Sequence, residues 1–168
     1  MVFGWINRRS IRMAQLRKVA FTPVQYHCTK PPQTQQMSLY LALIGTRDNP
    51  LYEMEIKMDP IRDFCPFIVH SALDIIEDLQ WKTNQLYFKN IDNYDNYSIS
   101  GYVTPGNIKF MILYQNLRSD EAIRQFFGEL NDLYVKTLLS PFYTINEAIR
   151  SKAFDQKVRM LSRKYFNL

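Results

Sequence analysis

The chain is 168 residues long, 46% apolar and 14% aromatic, which suits one folded domain and excludes a disordered polymer. Five glycines and eight prolines exclude collagen-like and linker-like chains, and two cysteines, Cys28 and Cys65, exclude a disulfide scaffold. The formal charge of +5 conceals a split, because residues 1–36 hold six basic groups and no acid, leaving 15 basic and 16 acidic groups for the rest.

Residues 1–36 carry Arg8, Arg9, Arg12, Arg17, Lys18 and Lys30 and end in Lys30-Pro31-Pro32-Gln33-Thr34-Gln35-Gln36. Three readings fit this basic extension: a gene-model extension ahead of a natural start at Met37, an organelle import peptide, or a disordered arm. No run is apolar enough for a membrane span. The foldable domain is expected over residues 37–168. It is close to neutral, so the overall basic character is no argument for nucleic acid as a partner.

Leu39–Thr46 is apolar on both alternating faces, which predicts a strand covered on both sides. Asp48-Asn49-Pro50 is a turn signal. Leu51–Met58 alternates strictly, with Tyr52, Met54, Ile56 and Met58 on one face and Glu53, Glu55 and Lys57 on the other. That pattern predicts a half-exposed edge strand forming a hairpin with the first.

Phe64, Phe67, Ile68, Ala72, Ile75, Ile76 and Leu79 then recur at helical spacing, with Pro66 in the first turn and Asp63 near the start. Ser71 also falls on this apolar stripe. The outward face carries His70, Asp74, Glu77 and Asp78. Three strands follow: Leu86–Asn90, Tyr97–Val103 and Ile108–Tyr114. Asp92-Asn93 and Asp95-Asn96 supply the turn between the first two. The third is apolar on both faces, like the first strand of the domain. Two fully apolar strands belong side by side in the middle of a sheet, so the implied order is 2-1-5-4-3, largely antiparallel.

Ser119 caps the next helix, whose stripe is Ile123, Phe126, Phe127, Leu130, Leu133, Tyr134 and Leu138. Ser140-Pro141 ends it. A last helix starts near Ser151, with Phe154, Val158, Leu161 and Tyr165 inward and a basic stripe of Lys152, Arg159 and Arg163 outward. The whole is an α+β domain: a five-stranded sheet with one helix on one face and two on the other. Its charge is polarised, because Ala148–Leu168 holds six basic groups and one acid, Asp155. An acidic body with one basic end suits assembly with charged neighbours.

The chain carries no GxGxxG, P-loop, GxSxG or HExxH motif. His70 with Asp74 four residues on, and Ser71 adjacent, is the one group resembling a catalytic set. Neighbouring helical residues diverge in direction, so Ser71 and His70 would not meet. No catalytic, cofactor-binding or metal residue is expected. The aromatic residues Phe64, Phe67, Phe88, Phe110, Phe126 and Phe127 fall at expected core positions. His70, Asp74, Glu77 and Asp78 are the expected partner-binding face. Lys152, Arg159 and Arg163 form a basic face for an acidic partner or an anionic membrane.

Residues 39–168 resemble sedlin, a small subunit of the transport protein particle (TRAPP) that tethers vesicles. The resemblance lies in Asp48-Asn49-Pro50-Leu51-Tyr52-Glu53-Met54-Glu55, Phe67-Ile68-Val69-His70-Ser71-Ala72-Leu73-Asp74, Asn131-Asp132-Leu133-Tyr134-Val135-Lys136, Pro141-Phe142-Tyr143 and Ile149-Arg150-Ser151-Lys152-Ala153-Phe154-Asp155. The last stretch, followed by Lys157-Val158, looks more like sedlin proper than its paralogue in the same complexes. The resemblance implies a longin-like (profilin-like) fold and a non-catalytic adaptor without a cofactor. Its implied partners are other small TRAPP subunits and a larger adaptor subunit, with a Rab-type GTPase engaged only through the complex. The implied location is cytoplasmic, peripheral at endoplasmic reticulum–Golgi membranes. Two further readings remain open at this point: a longin module of a SNARE-type trafficking factor, and a small hydrolase using His70 and Asp74.

Overall fold

Strand β1 (Ser38–Ile44) is buried along its whole length. It sits second in a five-stranded sheet of order β2-β1-β5-β4-β3, as its two apolar faces require. A computed structural model describes residues 37–59, 61–116 and 119–166; the basic extension of residues 1–36 lies outside them. The other strands are β2 (Pro50–Ile56), β3 (Tyr87–Tyr94), β4 (Tyr97–Val103) and β5 (Lys109–Gln115), and every pairing is antiparallel. The half-polar strands β2 and β3 take the two edges, as expected.

On one face lie helices α3 (Asp120–Leu138) and α4 (Lys152–Phe166). Their core combines Leu39, Leu41 and Leu43 of β1 and Phe110 and Ile112 of β5 with Phe126, Phe127 and Leu130 of α3 and Phe154, Val158 and Phe166 of α4. Ser119 caps α3, its hydroxyl accepting from Ala122 N at 3.4 Å. The opposite face packs Tyr40, Ala42, Ile44, Met111 and Leu113 against α1 (Cys65–Ser71) and α2 (Leu73–Lys82).

The single helix expected over Phe64–Leu79 is therefore two helices after a short 3₁₀ turn (Arg62–Phe64). The break spans one residue, Ala72. The Ser71 hydroxyl donates to the Ile68 carbonyl at 2.8 Å. That carbonyl is the acceptor the Ala72 N–H would use in an unbroken helix, and Ala72 N–H bonds Val69 O at 3.2 Å instead.

The inward stripe of α1 is also one residue out of phase with the expectation. Cys65, Ile68, Val69 and Ala72 are buried, whereas Phe64 and Phe67 are 60% and 74% exposed. Ser71 is exposed too. Both sets satisfy the helical period. Packing buries Cys65 and Val69 with Ile68 and Ala72 in the core on this face of the sheet.

Two further details differ from the sequence reading. Met58 joins the α1-side core rather than following Tyr52 and Met54, because the chain leaves β2 at Lys57 with φ 54°. Strand β3 extends to Tyr94, and the hairpin closes tightly at Asp95-Asn96, with Asp95 at φ 52°.

Candidate interaction surface

Helix α1 leaves an apolar groove against the β2 side of the sheet. The groove holds about 250 Å³, with Tyr40, Ala42 and Ile44 from β1 and Phe67, Val69 and His70 from α1 among its walls. The Tyr40 hydroxyl donates to Glu53 Oε1 at 2.6 Å. Burial and that carboxylate push the Tyr40 phenol far above its usual range, so it stays a neutral donor. Phe67 combines a groove wall with 74% exposure.

The expected partner-binding residues divide between this groove and the helix that follows. His70 lines the groove and is exposed. Asp74 and Asp78 are exposed on α2, and Asp78 lies 4.0 Å from Lys82 within its own helix. Glu77 is engaged internally: its Oε1 is 2.5 Å from Lys109 Nζ, which also reaches Asp48 Oδ1 at 2.7 Å. Lys109 is buried on the α1 side of β5, the face of Met111 and Leu113. Burial alone would lower its pKa, but the two carboxylates outweigh burial and raise it, so Lys109 stays charged. Glu77 thus anchors α2 to the sheet.

The structure does not assemble a hydrolytic set. His70 and Asp74 share no hydrogen bond among the described residues, and the Ser71 hydroxyl is committed to the Ile68 carbonyl. Among the described residues no group of three His, Cys, Asp or Glu side chains is placed to hold a metal. Cys65 is fully buried, and burial pushes its thiol up to about 11. No described helix is long and apolar enough to cross a membrane.

The basic stripe of α4 is also uneven. Lys152 and Arg163 are exposed. Arg159 Nε lies 2.9 Å from Asp155 Oδ2, and Asp155 Oδ1 accepts from the Tyr52 hydroxyl at 2.7 Å, which ties α4 to β2. Sequence reasoning missed the groove, Phe67 as its exposed wall, and Lys109. A lysine within an otherwise apolar strand was the available signal for the last, since a buried ammonium requires a carboxylate nearby.

A five-stranded antiparallel sheet in this order, with helices on both faces, defines a longin-like α+β domain. A model of the Sedlin family matches residues 43–164, and the chain belongs to that family. The chain is 51% identical over 138 residues to the transport protein particle 20 kDa subunit of Schizosaccharomyces pombe, covering 77% of this chain and 99% of that one. It is 35% identical over 133 residues to the probable trafficking protein particle complex subunit 2 of Drosophila melanogaster, covering 75% and 95%. The trafficking protein particle complex subunit 2-like protein of Rattus norvegicus is 28% identical over 134 residues, covering 73% and 94%. These relatives mark the chain as a subunit of a trafficking particle of the TRAPP type.

Proposed function

We propose that this chain is a non-catalytic adaptor subunit of a TRAPP-like vesicle-tethering particle acting between endoplasmic reticulum and Golgi. It joins other small subunits to a larger one. Nucleotide exchange on a Rab-type GTPase belongs to the assembled particle, and the chain contributes to it through assembly. It works in the cytoplasm and reaches membranes peripherally, within the particle. The reading rests above all on Phe67, a large aromatic side chain held in the open beside an apolar groove. Asp74 and Asp78 lie on the following helix and favour a partner with basic groups beside its apolar anchor.

The test is quantitative recovery of other subunits with the tagged full chain, purified from its own cells. Wild type brings down the remaining small subunits. Phe67→Asp lowers their recovery by about tenfold or more, as loss of an interface anchor does. Asp74→Lys lowers it less, by charge reversal. Both substitutions lie at exposed positions and leave the melting temperature in place. Undiminished recovery with both variants removes this surface from the assembly. A solitary monomer at cellular concentration removes the adaptor reading altogether.

A further inference from the structure

A second surface of a different character lies in the connection between α3 and α4, residues 139–151. It is long for a helix–helix connection, where about 2–8 residues are common, and such segments are usually functional. It is also pinned to the sheet. Ile149 N donates to Leu51 O at 2.7 Å, Asn49 Nδ2 to Asn146 O at 2.9 Å, and Asn146 Nδ2 to Thr46 Oγ1 at 2.8 Å. Gly45 admits this packing: a Cβ there would fall 2.7 Å from Asn146 Oδ1.

This fixed backbone nevertheless holds large apolar side chains in the open. Leu139 is 78% exposed, Phe142 96% and Ile145 69%. Beside Phe142 opens a cavity of about 820 Å³, lined also by Thr137, Ser140, Thr144, Arg150 and Ser151. Arg150 and one acid, Glu147, line the cavity itself, and Lys136 in the last turn of α3 and Lys152 at the start of α4 flank it. None of the three cations forms an ion pair among the described residues.

We propose that this connection is a second docking surface, and that it receives an acidic segment of another subunit carrying a large apolar side chain. The apolar side chain packs on the exposed Leu139, Phe142 and Ile145, the segment's backbone enters the cavity, and the acidic groups meet Arg150, Lys152 and Lys136. Preorganisation favours such a site, because the loop has already lost its conformational freedom before the partner arrives. The alternative occupant of a basic, apolar surface is an anionic bilayer. The cavity argues against it: the face of a bilayer is flat and cannot fill a recess of about 820 Å³, whereas an extended segment of a protein can enter it. The inference rests on membership of a multi-subunit particle and not on the α1 groove.

The test places the photo-crosslinking residue p-benzoylphenylalanine at position 142 of the full chain, in the particle purified from its own cells. The expected product is a cross-link to a segment of another subunit rich in Asp or Glu and bearing an apolar residue. In the same particle Phe142→Ser and the pair Arg150→Glu, Lys152→Glu each weaken retention of that subunit by about tenfold, with the chain's melting temperature unchanged. Raising salt weakens wild type and leaves the charge-reversed pair unaffected. No cross-link to protein, or a cross-link to a basic segment, overturns the proposal. So does co-sedimentation with vesicles of equal parts phosphatidylcholine and phosphatidylserine that Phe142→Ser abolishes.

Discussion

Lys109, buried at 1% exposure on a central strand, donates to Glu77 of α2 at 2.5 Å, and this pair holds the second half of the broken helix against the sheet. Asp48 accepts from the same ammonium at 2.7 Å. A buried ammonium that loses a carboxylate keeps its desolvation cost and loses much of its compensation. Glu77→Ala is therefore expected to destabilise the chain by about 1–3 kcal/mol. Asp74→Ala, one turn earlier and exposed, is expected to stay within about 0.5 kcal/mol. Urea unfolding of the two variants separates them; equal midpoints would show that Glu77 is as peripheral as Asp74.

The order of the sheet was legible because β1 and β5 are apolar on both faces and can lie only where helices cover both sides. The edges were legible from the polar alternation of β2 and from the mixed composition of β3. What stayed hidden depends on choices that two or more elements make together. Phe64 and Phe67 fit the helical period as well as Cys65 and Val69 do, and only packing against the sheet decides between them. The break at Ala72, where the Ser71 hydroxyl donates to the Ile68 carbonyl, interrupts no apolar period and so leaves no mark in the pattern. His70 and Asp74 were readable as exposed positions. The groove beside His70 was not, since much of its wall comes from the β1–β2 hairpin, earlier in the chain.

Gly101 of β4 lies where α2 presses on the sheet. A Cβ there would lie 2.7 Å from Ile91 Cδ1 and closer still to Ile76 Cδ1. Its backbone is not in the left-handed region, so the constraint is one of space, set by the tips of the Ile76 and Ile91 side chains. Gly101→Val is expected to cost about 1–3 kcal/mol by overpacking, and adding Ile76→Ala should recover part of that loss. A double-mutant cycle by denaturant unfolding measures the coupling. Strict additivity would place the strain somewhere other than the α2–β4 contact.

Cys65 provides a probe of the α1 side of the core. Its thiol donates to Ile61 O at 3.2 Å, and burial raises its pKa to about 11. The reactive thiolate is accordingly scarce at neutral pH as well as enclosed. Iodoacetamide should label Cys65 on the order of a hundredfold or more slowly in the native chain than in urea. Peptide mass mapping distinguishes it from Cys28. Rapid native labelling of Cys65 would mean that α1 opens readily from the sheet, and the groove with it.

Helix α4 is held by two carboxylates, and this sets how the chain responds to acid. Glu129 of α3 accepts from Lys164 Nζ and from the Tyr165 hydroxyl, both at 2.5 Å. Asp155 accepts from Arg159 and from Tyr52 of β2. Their hydrogen bonds to Lys164 and Arg159, respectively, lower both pKa values below those of free carboxylates. A carboxyl whose pKa is lowered on folding stabilises the native state fully above its unfolded pKa, and loses that contribution as pH falls through the folded one. Loosening of α4 should therefore begin as pH falls below the ordinary carboxylate range and increase as it passes through the lowered folded values. Glu129→Gln with Asp155→Asn removes the two titrations and keeps acceptors in place. The double variant should be less stable at neutral pH and show a flatter decline in acid, measured as melting temperature against pH. Parallel declines in wild type and double variant would assign acid sensitivity to other groups, leaving α4 held by its apolar stripe of Phe154, Val158 and Phe166 alone.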